Sequence, residues 1–328
     1  MSWSGRELMD SSTWPRSLDP TEVQALIAAA RELRDRPVGD LDLEARELAA
    51  LADSMGEVSA ELESGPGAVL LRGLPVDLEP EVLERAFWIL ANLVGTPVSQ
   101  SASGERLLHV RDEGFKESDP RFRGPHSNRR LSFHTDRCDV IAFLCVRPAL
   151  SGGENHVLSS EALRNALRAR HPEHARTLEE EALPYLRHTV DGGNQRPYTL
   201  VPVFTEYRGQ FAASFLRVLI DRADASPDAP SLTRAQREAM DALEEVAEDE
   251  KLYASFRLQA GDLLLLNNWT TFHRRTAFED SSEPAARRHL MRIWLSSPHG
   301  RELDPRYAEH FGSTAAGSLR GGMRPASP

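Results

Sequence analysis

Two apolar runs with the length of β-strands each lie close to a histidine. The run 140–146 follows His134 and Asp136, and the run 263–266 comes shortly before His273. A turn at residues 260–262 precedes the second run, and β-branched and aromatic residues are frequent in the first. The histidines are far apart in the sequence, so only a fold that pairs distant strands can bring them together. The pattern therefore predicts a sheet-based fold.

His134, Asp136 and His273 form a candidate metal site. In a strand, residues i and i+2 point to the same face, so H-x-D at a strand end can direct both side chains at one ion. Two imidazoles and one carboxylate on one side of an iron leave the opposite positions open, as in non-haem Fe(II) oxygenases. With 11 histidines and 50 acidic residues in the chain, H-x-D alone is better explained as a surface pair. The sequence around the motif must therefore decide between a metal site and a surface pair.

A further strand-like stretch, residues 287–295, strengthens the hypothesis. Arg288 and Arg292 share one face of it with Leu290. An arginine that points inward from a buried strand is unfavourable unless it meets an anion. The planar guanidinium binds a carboxylate through two parallel hydrogen bonds. The sequence thus predicts an anion site on the sheet that carries the metal.

Five segments together resemble the taurine-dioxygenase-like (TauD/TfdA) family of Fe(II)/2-oxoglutarate-dependent dioxygenases. They occur in the order of the family, and the resemblance extends over roughly residues 69–297. The segments are FHTD at 133–136, SGGEN at 151–155, GDLLLLNN at 261–268, HRRTAFED at 273–280 and RRHLMRIWL at 287–295. Each is weak alone, but the set is highly specific.

The resemblance implies a fold and a set of ligands. The fold would be mostly β with flanking helices, around a double-stranded β-helix (jelly-roll, cupin-like) core. The two histidines and Asp136 would bind Fe(II). Arg292 would grip the distal carboxylate of the cosubstrate 2-oxoglutarate, with Arg288 as a second arginine one step back. Asn155 stands where the family often has a threonine that contacts 2-oxoglutarate, and its amide can also hydrogen-bond a carboxylate.

The resemblance also implies the reaction. Oxidative decarboxylation of 2-oxoglutarate by O₂ would be coupled to hydroxylation, or a related C–H oxidation, of a small organic substrate. Asp136 favours hydroxylation over halogenation, because halogenating relatives usually replace this carboxylate with a small residue. Desaturation, epoxidation and cyclisation use the same triad and stay open. The substrate is expected to be amino-acid-like or a natural-product intermediate.

Polar residues near these motifs are candidate substrate contacts. Loops on a rigid sheet commonly carry specificity, and residues 95–128 read as an irregular, polar stretch before the H-x-D motif. Ordinary surface polarity explains each residue equally well when it is taken singly. The candidates are Gln100, His109, His126, Asn128, Asn268 and Trp269.

Two other classes of protein share parts of this pattern. A non-catalytic cupin-like binding protein would keep the barrel but lose iron or 2-oxoglutarate, and the complete triad with Arg292 argues against it. A zinc-dependent hydrolase could use the same three ligands. It leaves the inward-facing Arg288 and Arg292 unexplained.

Composition excludes some partners. The chain has 328 residues and a net charge of −11, whereas a nucleic-acid-binding surface needs a basic patch. No apolar stretch is long enough to span a bilayer, and no signal-peptide pattern is present. Cys138 and Cys145 are expected to face opposite sides of one strand and to stay reduced, which favours a cytoplasmic protein. A homo-oligomer is compatible with the sequence.

We expect three regions along the chain. Residues 1–64 read as a helical region packed on the core, with a helix start at Asp19 and Pro20. Residues 65–312 would form the double-stranded β-helix domain with helical insertions. Residues 313–328 are rich in Gly, Ser, Ala and Arg, which predicts a disordered tail.

Overall fold

Two β-sheets that face each other form the centre of the protein. The computed structural model describes residues 2–37, 48–114, 126–186 and 196–323. Helices cover the outer face of the larger sheet, and a second group of helices and hairpins lies beyond the smaller one. The chain as a whole mixes helices and strands around this core.

The helices are α1 Gly5–Met9, α2 Pro20–Glu32, α3 Ala49–Ser64, α4 Pro80–Val94, α5 Ser160–Arg170, α6 Pro172–Glu180, α7 Arg217–Asp224, α8 Arg234–Ala247 and α9 Ala308–Phe311. The strands are β1 Arg16–Ser17, β2 Ala68–Arg72, β3 Thr96–Val98, β4 Leu107–Val110, β5 Val140–Arg147, β6 Ser151–Gly152, β7 Asn155–Ser159, β8 Ala182–Leu186, β9 Tyr198–Pro202, β10 Phe204–Tyr207, β11 Gln210–Ala213, β12 Tyr253–Phe256, β13 Leu263–Asn267, β14 Thr271–Arg275, β15 Phe278–Glu279 and β16 His289–Ser296.

The larger sheet has seven strands in the order β1-β2-β13-β5-β16-β3, and β4 also pairs with β16. Apart from the parallel pair β1–β2, these pairings are antiparallel. The two apolar runs seen in the sequence thus lie side by side as β13 and β5. The register shifts between His289 and Leu290, where β16 begins.

The smaller sheet has the order β12-β7-β14. An isolated antiparallel bridge joins His134 to His273 of β14, through reciprocal backbone hydrogen bonds of 3.0 Å. His134 therefore lies at the edge of the smaller sheet, and the chain then crosses to the larger sheet as β5. The crossing places the H-x-D motif at one end of the space between the sheets.

Strand alternation decides which side chains fill that space. Ile141 and Cys145 of β5 and Leu264 and Leu266 of β13 point inward, whereas Ala142 of β5 packs outward with α2, α3 and α4. The inner cluster also takes in Trp3 and Trp14. The N-terminal region thus packs on the core and contributes β1 and two tryptophans to it.

Several sequence-based expectations need correction here. Residues 95–128 are not wholly irregular, because β3 and β4 complete the larger sheet; residues 115–125 lie outside the described part. Cys138 and Cys145 do not face opposite sides, because both side chains lie in the same inner cluster. Cys138 precedes β5, so the alternation of the strand does not apply to it. Neither cysteine forms a disulfide.

The prediction of a disordered tail is wrong for residues 313–323. The backbone N–H groups of Gly321, Gly322 and Met323 donate to carbonyls of Phe311, Arg137 and Ser99. The composition of the segment does not indicate this order, because contacts with other buried segments hold it in place and its own apolar residues do not. Residues 324–328 lie outside the described part.

Candidate metal and anion site

The ligand atoms of His134, Asp136 and His273 lie within 4.8 Å of one another. The Nε2 atom of His273 is 3.5 Å from the Oδ2 atom of Asp136. The two imidazole rings have centroids 4.4 Å apart. The structure therefore brings the three residues of the predicted triad together, although His273 comes from another strand and lies more than a hundred positions away in the sequence.

Backbone and side-chain contacts orient the H-x-D motif. His134 Nδ1 is 2.8 Å from the carbonyl of Ser132, which fixes this nitrogen as the donor and leaves Nε2 free of a proton. The backbone N–H of Asp136 donates to Oδ1 of Asn268 at 2.8 Å. Asn268 lies in the turn between β13 and β14, so the same turn that delivers His273 also holds Asp136.

The charges in the site favour a metal-binding protonation state. Burial, and then the neighbouring His273, lower the pKa of His134 to about 4. Burial alone would raise the pKa of Asp136, but the Arg292 guanidinium and the two imidazoles outweigh it and hold this pKa well below its usual range. At neutral pH the site thus offers a neutral imidazole at His134 and an ionised carboxylate.

These donors fit an iron ion. Among the described residues, Oδ2 of Asp136 and Nδ1 of His273 are buried without a hydrogen-bond partner, an arrangement that is unfavourable unless another group completes it. Two imidazoles and a carboxylate are ligands that Fe(II) accepts, and three of them leave positions open.

A pocket between the two sheets adjoins the triad. Most of its exposed wall surface is apolar, although the lining residues divide equally between apolar and polar side chains. The apolar lining consists of Val110, Leu131, Phe143, Val157, Leu264, Leu266 and Leu290. The polar lining consists of His134, Asn155, His273, Arg274, Arg275, Arg288 and Arg292.

Arg275 and Arg288 form a buried cationic pair in this pocket. Each is about 5% exposed, and both guanidinium groups lie near the ring of Phe278. Burial and the charge of Arg288 lower the pKa of Arg275 to about 9, and burial lowers that of Arg288 to about 10. Both terminal nitrogens of Arg275 donate to backbone carbonyls, at 2.8 and 2.7 Å. No carboxylate of the described residues lies within 4 Å of either guanidinium, so the charge of the pair is a candidate attraction for an anion.

Arg292 is placed differently. Its Nε donates to Oε1 of Gln100 at 2.7 Å, and its Nη1 lies 3.9 Å from Oδ2 of Asp136. The amide of Gln100 in turn donates to the backbone carbonyl of Arg292 at 2.9 Å. Arg292 is therefore held beside the metal site, and Arg288 lies four positions back along the chain.

Of the other predicted site residues, one lines the pocket and two pack behind the H-x-D motif. Asn155 lines the pocket at the start of β7, opposite Arg275 in the strand register. Asn268 and Trp269 are buried behind the H-x-D motif, where they brace it without lining the pocket. Asn128 is exposed.

The two predicted histidines, His109 of β4 and His126, also lie outside the pocket lining. His109 contacts His289, with 2.8 Å between ring nitrogens, and His126 lies 3.4 Å from Glu113. Neither is near enough to the triad to join it as a ligand.

Arg275 is the functional candidate that the sequence interpretation missed. It stands two positions after His273 on the same strand, so it shares the face of a metal ligand. That spacing was visible in the sequence. His156, one position after Asn155, faces the opposite way and stacks on Tyr253 with ring centroids 4.4 Å apart.

Among the described residues, no helix has both the length and the apolar character needed to cross a bilayer.

Residues 30–294 match the family described as taurine catabolism dioxygenase TauD, TfdA family. FR-33289 synthase from Streptomyces rubellomurinus is 29% identical over 327 residues, which cover 96% of this chain and 94% of that protein. Taurine hydroxylase-like protein SAT17 from Stachybotrys chartarum is 27% identical over 313 residues, 89% of this chain and 78% of that protein.

Solved structures share the fold. An asparagine oxygenase in complex with Fe(II), 2S,3S-3-hydroxyasparagine and succinate superposes with a TM-score of 0.65 at 18% identity, over 94% of this chain and 99% of that one. The non-haem iron oxygenase OrfP, in complex with Fe and alpha-ketoglutaric acid, gives 0.62 at 17% identity, over 93% and 99%. The predicted jelly-roll core is confirmed by these likenesses.

Proposed function

The chain belongs to the TauD/TfdA family of Fe(II)/2-oxoglutarate-dependent dioxygenases, and on that premise we propose that it hydroxylates a small, acidic, amino-acid-like substrate at an iron held by His134, Asp136 and His273. The predictions of the family, of a dioxygenase and of iron and 2-oxoglutarate as cofactor and cosubstrate are confirmed. The ligand assignment rests on the 4.8 Å cluster of the triad, which adjoins two buried arginines without a carboxylate partner among the described residues.

Bound Fe(II) would supply the oxidation, in which O₂ and 2-oxoglutarate yield succinate, CO₂ and an oxidised substrate C–H bond. The chain supplies position and charge. His134 presents Nε2 because Nδ1 is engaged with Ser132, and Asp136 stays ionised because Arg292 lies beside it. Much of the exposed wall surface is apolar, and charges beside an apolar surface interact more strongly than they would in bulk solvent.

For 2-oxoglutarate, the distances favour a different arginine from the one that the sequence indicated. Chelation of the metal by one end of a five-carbon diacid places the other carboxylate well away from the triad. Arg275 lies two residues beyond His273, about 7 Å along the strand, and Arg288 lies four residues from Arg292. We therefore propose that Arg288 binds the distal carboxylate and that Arg275, whose terminal nitrogens donate to backbone carbonyls, adds its positive charge, with Asn155 adjacent.

Arg292 is placed to attract a second anion at the other end of the pocket. Its Nε is engaged by Gln100, but its position 3.9 Å from Asp136 places its charge at the metal end of the pocket. A substrate carboxylate, or another acid group of similar size, would meet this guanidinium while its C–H bonds approach the metal. This supports an acidic substrate over a neutral one.

The relatives agree with this class. The asparagine oxygenase structure contains a hydroxylated asparagine, and OrfP has been solved with (3S)-hydroxy-L-Arg. We extend to this chain only the class of substrate, a small amino-acid-like acid or a natural-product intermediate carrying an acid group. We also propose action in the cytoplasm; the two free cysteines are compatible with a reducing compartment. Assembly into a homo-oligomer stays a prediction.

The test is succinate release from 2-oxoglutarate under air, with Fe(II) and ascorbate, across a panel of amino acids and other small acids. Each acid is paired with its neutral amide or ester. Stimulation of succinate release by acids and not by their neutral partners is expected. Activity with Zn(II) in place of Fe(II), or preference for the neutral partners, would contradict the proposal.

A further inference from the structure

A buried carboxylate three positions after Asp136 connects several distant segments. Asp139 is 2% exposed, and its Oδ1 accepts hydrogen bonds from Trp269 Nε1 and from Arg320 Nε, both at 2.7 Å. Its Oδ2 accepts from the backbone N–H of Ser297 at 2.9 Å. The end of the H-x-D segment is thus tied to the β13–β14 turn, to the end of β16 and to residue 320.

We name residues 320–323 the strap. The strap begins at Arg320 and then runs between two loops of the site, one at residue 137 and one at residue 99. The Arg320 side chain is fully buried, and its backbone N–H donates to the Ser296 hydroxyl at 3.0 Å. Gly322 N–H donates to the carbonyl of Arg137 at 2.7 Å, next to Asp136, and Met323 N–H donates to the carbonyl of Ser99 at 2.8 Å.

The second loop leads to Arg292. Ser99 is followed by Gln100, whose side chain holds both the guanidinium and the backbone carbonyl of Arg292. The strap therefore joins the segment that carries the metal ligand Asp136 to the segment that orients Arg292. These are the two charged groups that face each other at 3.9 Å in the pocket.

Glycine at position 322 is required by this insertion. Its φ is +70°, and a Cβ there would lie 2.9 Å from the Cβ of Val98 and 3.0 Å from the carbonyl oxygen of Ser99. A methyl group would therefore push the strap and the 98–100 loop apart. A strap that merely covered the surface would not need such close contact.

We propose that the strap sets the separation of Asp136 and Arg292, and that Arg320 is a positioning residue for the binding of Fe(II) and 2-oxoglutarate. The inference rests on the proposed function, because it concerns the same site. Groups that orient metal ligands from behind typically change metal affinity or activity by about 10–100-fold when they are altered.

The test compares two glycine variants of the full chain. Gly322→Ala and Gly312→Ala both place alanine at positive φ, +70° and +93°, but a Cβ at Gly312 meets nothing within 4 Å. The two variants thus share backbone strain and differ in the clash with residues 98 and 99. Fe(II) affinity, and 2-oxoglutarate affinity of the Fe(II)-loaded protein, are measured without O₂ by calorimetric titration, together with the unfolding midpoint.

We expect Gly322→Ala to weaken 2-oxoglutarate binding by about tenfold or more, with Gly312→Ala near wild type at a similar unfolding midpoint. Equal effects of the two variants on binding, or normal binding by Gly322→Ala, would overturn the inference. If the wild-type protein bound neither Fe(II) nor 2-oxoglutarate, the proposed function itself would fail, which is a different result.

Arg320→Lys gives a second measurement if Gly322→Ala does not fold. Lysine keeps the charge that Asp139 requires but cannot reproduce the planar guanidinium. The control is Arg72→Lys, whose partner Asp262 is also a carboxylate with 2% exposure, at the far end of β13. Arg72 is itself 36% exposed, so the unfolding midpoints of both variants are measured with the binding. Weaker 2-oxoglutarate binding in Arg320→Lys but not in Arg72→Lys supports positioning by the strap. The same binding in both variants overturns it.

Discussion

The guanidinium of Arg292 and the carboxylate of Asp136 face each other at 3.9 Å across the metal end of a largely apolar pocket. This distance is too long for a hydrogen bond but short for two opposite charges with little water between them. Arg292 thereby helps to keep Asp136 ionised, while its own Nε donates to Oε1 of Gln100 at 2.7 Å. Arg292 thus gives the site a fixed positive charge 3.9 Å from the carboxylate.

Substitution of Arg288 and of Arg292 should weaken the binding of different ligands. Arg288→Ala removes a charged hydrogen-bonding group, typically worth about 1.5–3 kcal/mol, so the Michaelis constant for 2-oxoglutarate should rise about tenfold to hundredfold. Arg288→Lys should recover part of the loss. Arg292→Ala should mainly raise the Michaelis constant for the primary substrate. Titrations of 2-oxoglutarate at fixed substrate, and the reverse, distinguish these effects; a larger rise for Arg292→Ala would restore the assignment made from sequence.

Loss of a metal ligand should remove iron but leave the fold. In His273→Ala, Fe(II) binding and succinate formation should disappear, because two ligands cannot hold the ion in competition with water. The far-ultraviolet circular dichroism should stay that of the wild type, since the sheets are held by apolar clusters. His171→Ala, a change at an outlying histidine, is the control. Near-normal iron affinity in His273→Ala would show that this residue is no ligand.

Asp136→Ala should abolish hydroxylation of the substrate. In the proposed site the carboxylate is the anionic ligand, and its removal also leaves Arg292 without its nearby negative charge. Product analysis by mass spectrometry, with chloride present and absent, measures both hydroxylated and chlorinated products. Full hydroxylation in this variant would contradict the role of Asp136 as a ligand.

His289 should make folding sensitive to acid. Burial, with Arg111 and His109 nearby, lowers the pKa of His289 from 6.5 to about 3. The unfolded chain therefore binds more protons between about pH 6.5 and 3, and the free energy of unfolding falls as the pH falls through that window. His289→Gln should show a shallower decrease in denaturant titrations from pH 6.5 to 4. If the free energy of unfolding depended on pH in the same way in the variant and the wild type, His289 would not be the cause of the acid sensitivity.

Removal of one charge from the Asp139–Arg320 pair should destabilise the whole domain. Asp139→Ala leaves the Arg320 guanidinium buried and unpaired, which typically costs about 3–5 kcal/mol. Urea unfolding of this variant should show the loss, whereas Asp10→Ala, at an exposed ion pair with Arg6, should change little. A loss below 1 kcal/mol, the usual range for surface pairs, would show that the pair is not effectively buried.

The sequence by itself determined the triad, the inward-facing arginines and the strands that carry them. His134 and Asp136 precede one apolar run and His273 follows another, and strand periodicity is a local property that the sequence displays directly. The helix start at Asp19 was equally visible, since capping depends on a few neighbouring residues.

Only the tertiary structure decided which arginine lies beside the metal and what braces the site. Arg292 faces Asp136 because β16 pairs with β5 in one register, and register depends on packing between strands far apart in the sequence. Asn268 and Trp269 support the H-x-D segment from behind, and residues 320–323 lie between two of its loops. Such roles depend on contacts between segments separated by more than a hundred residues, which leave no local pattern to detect.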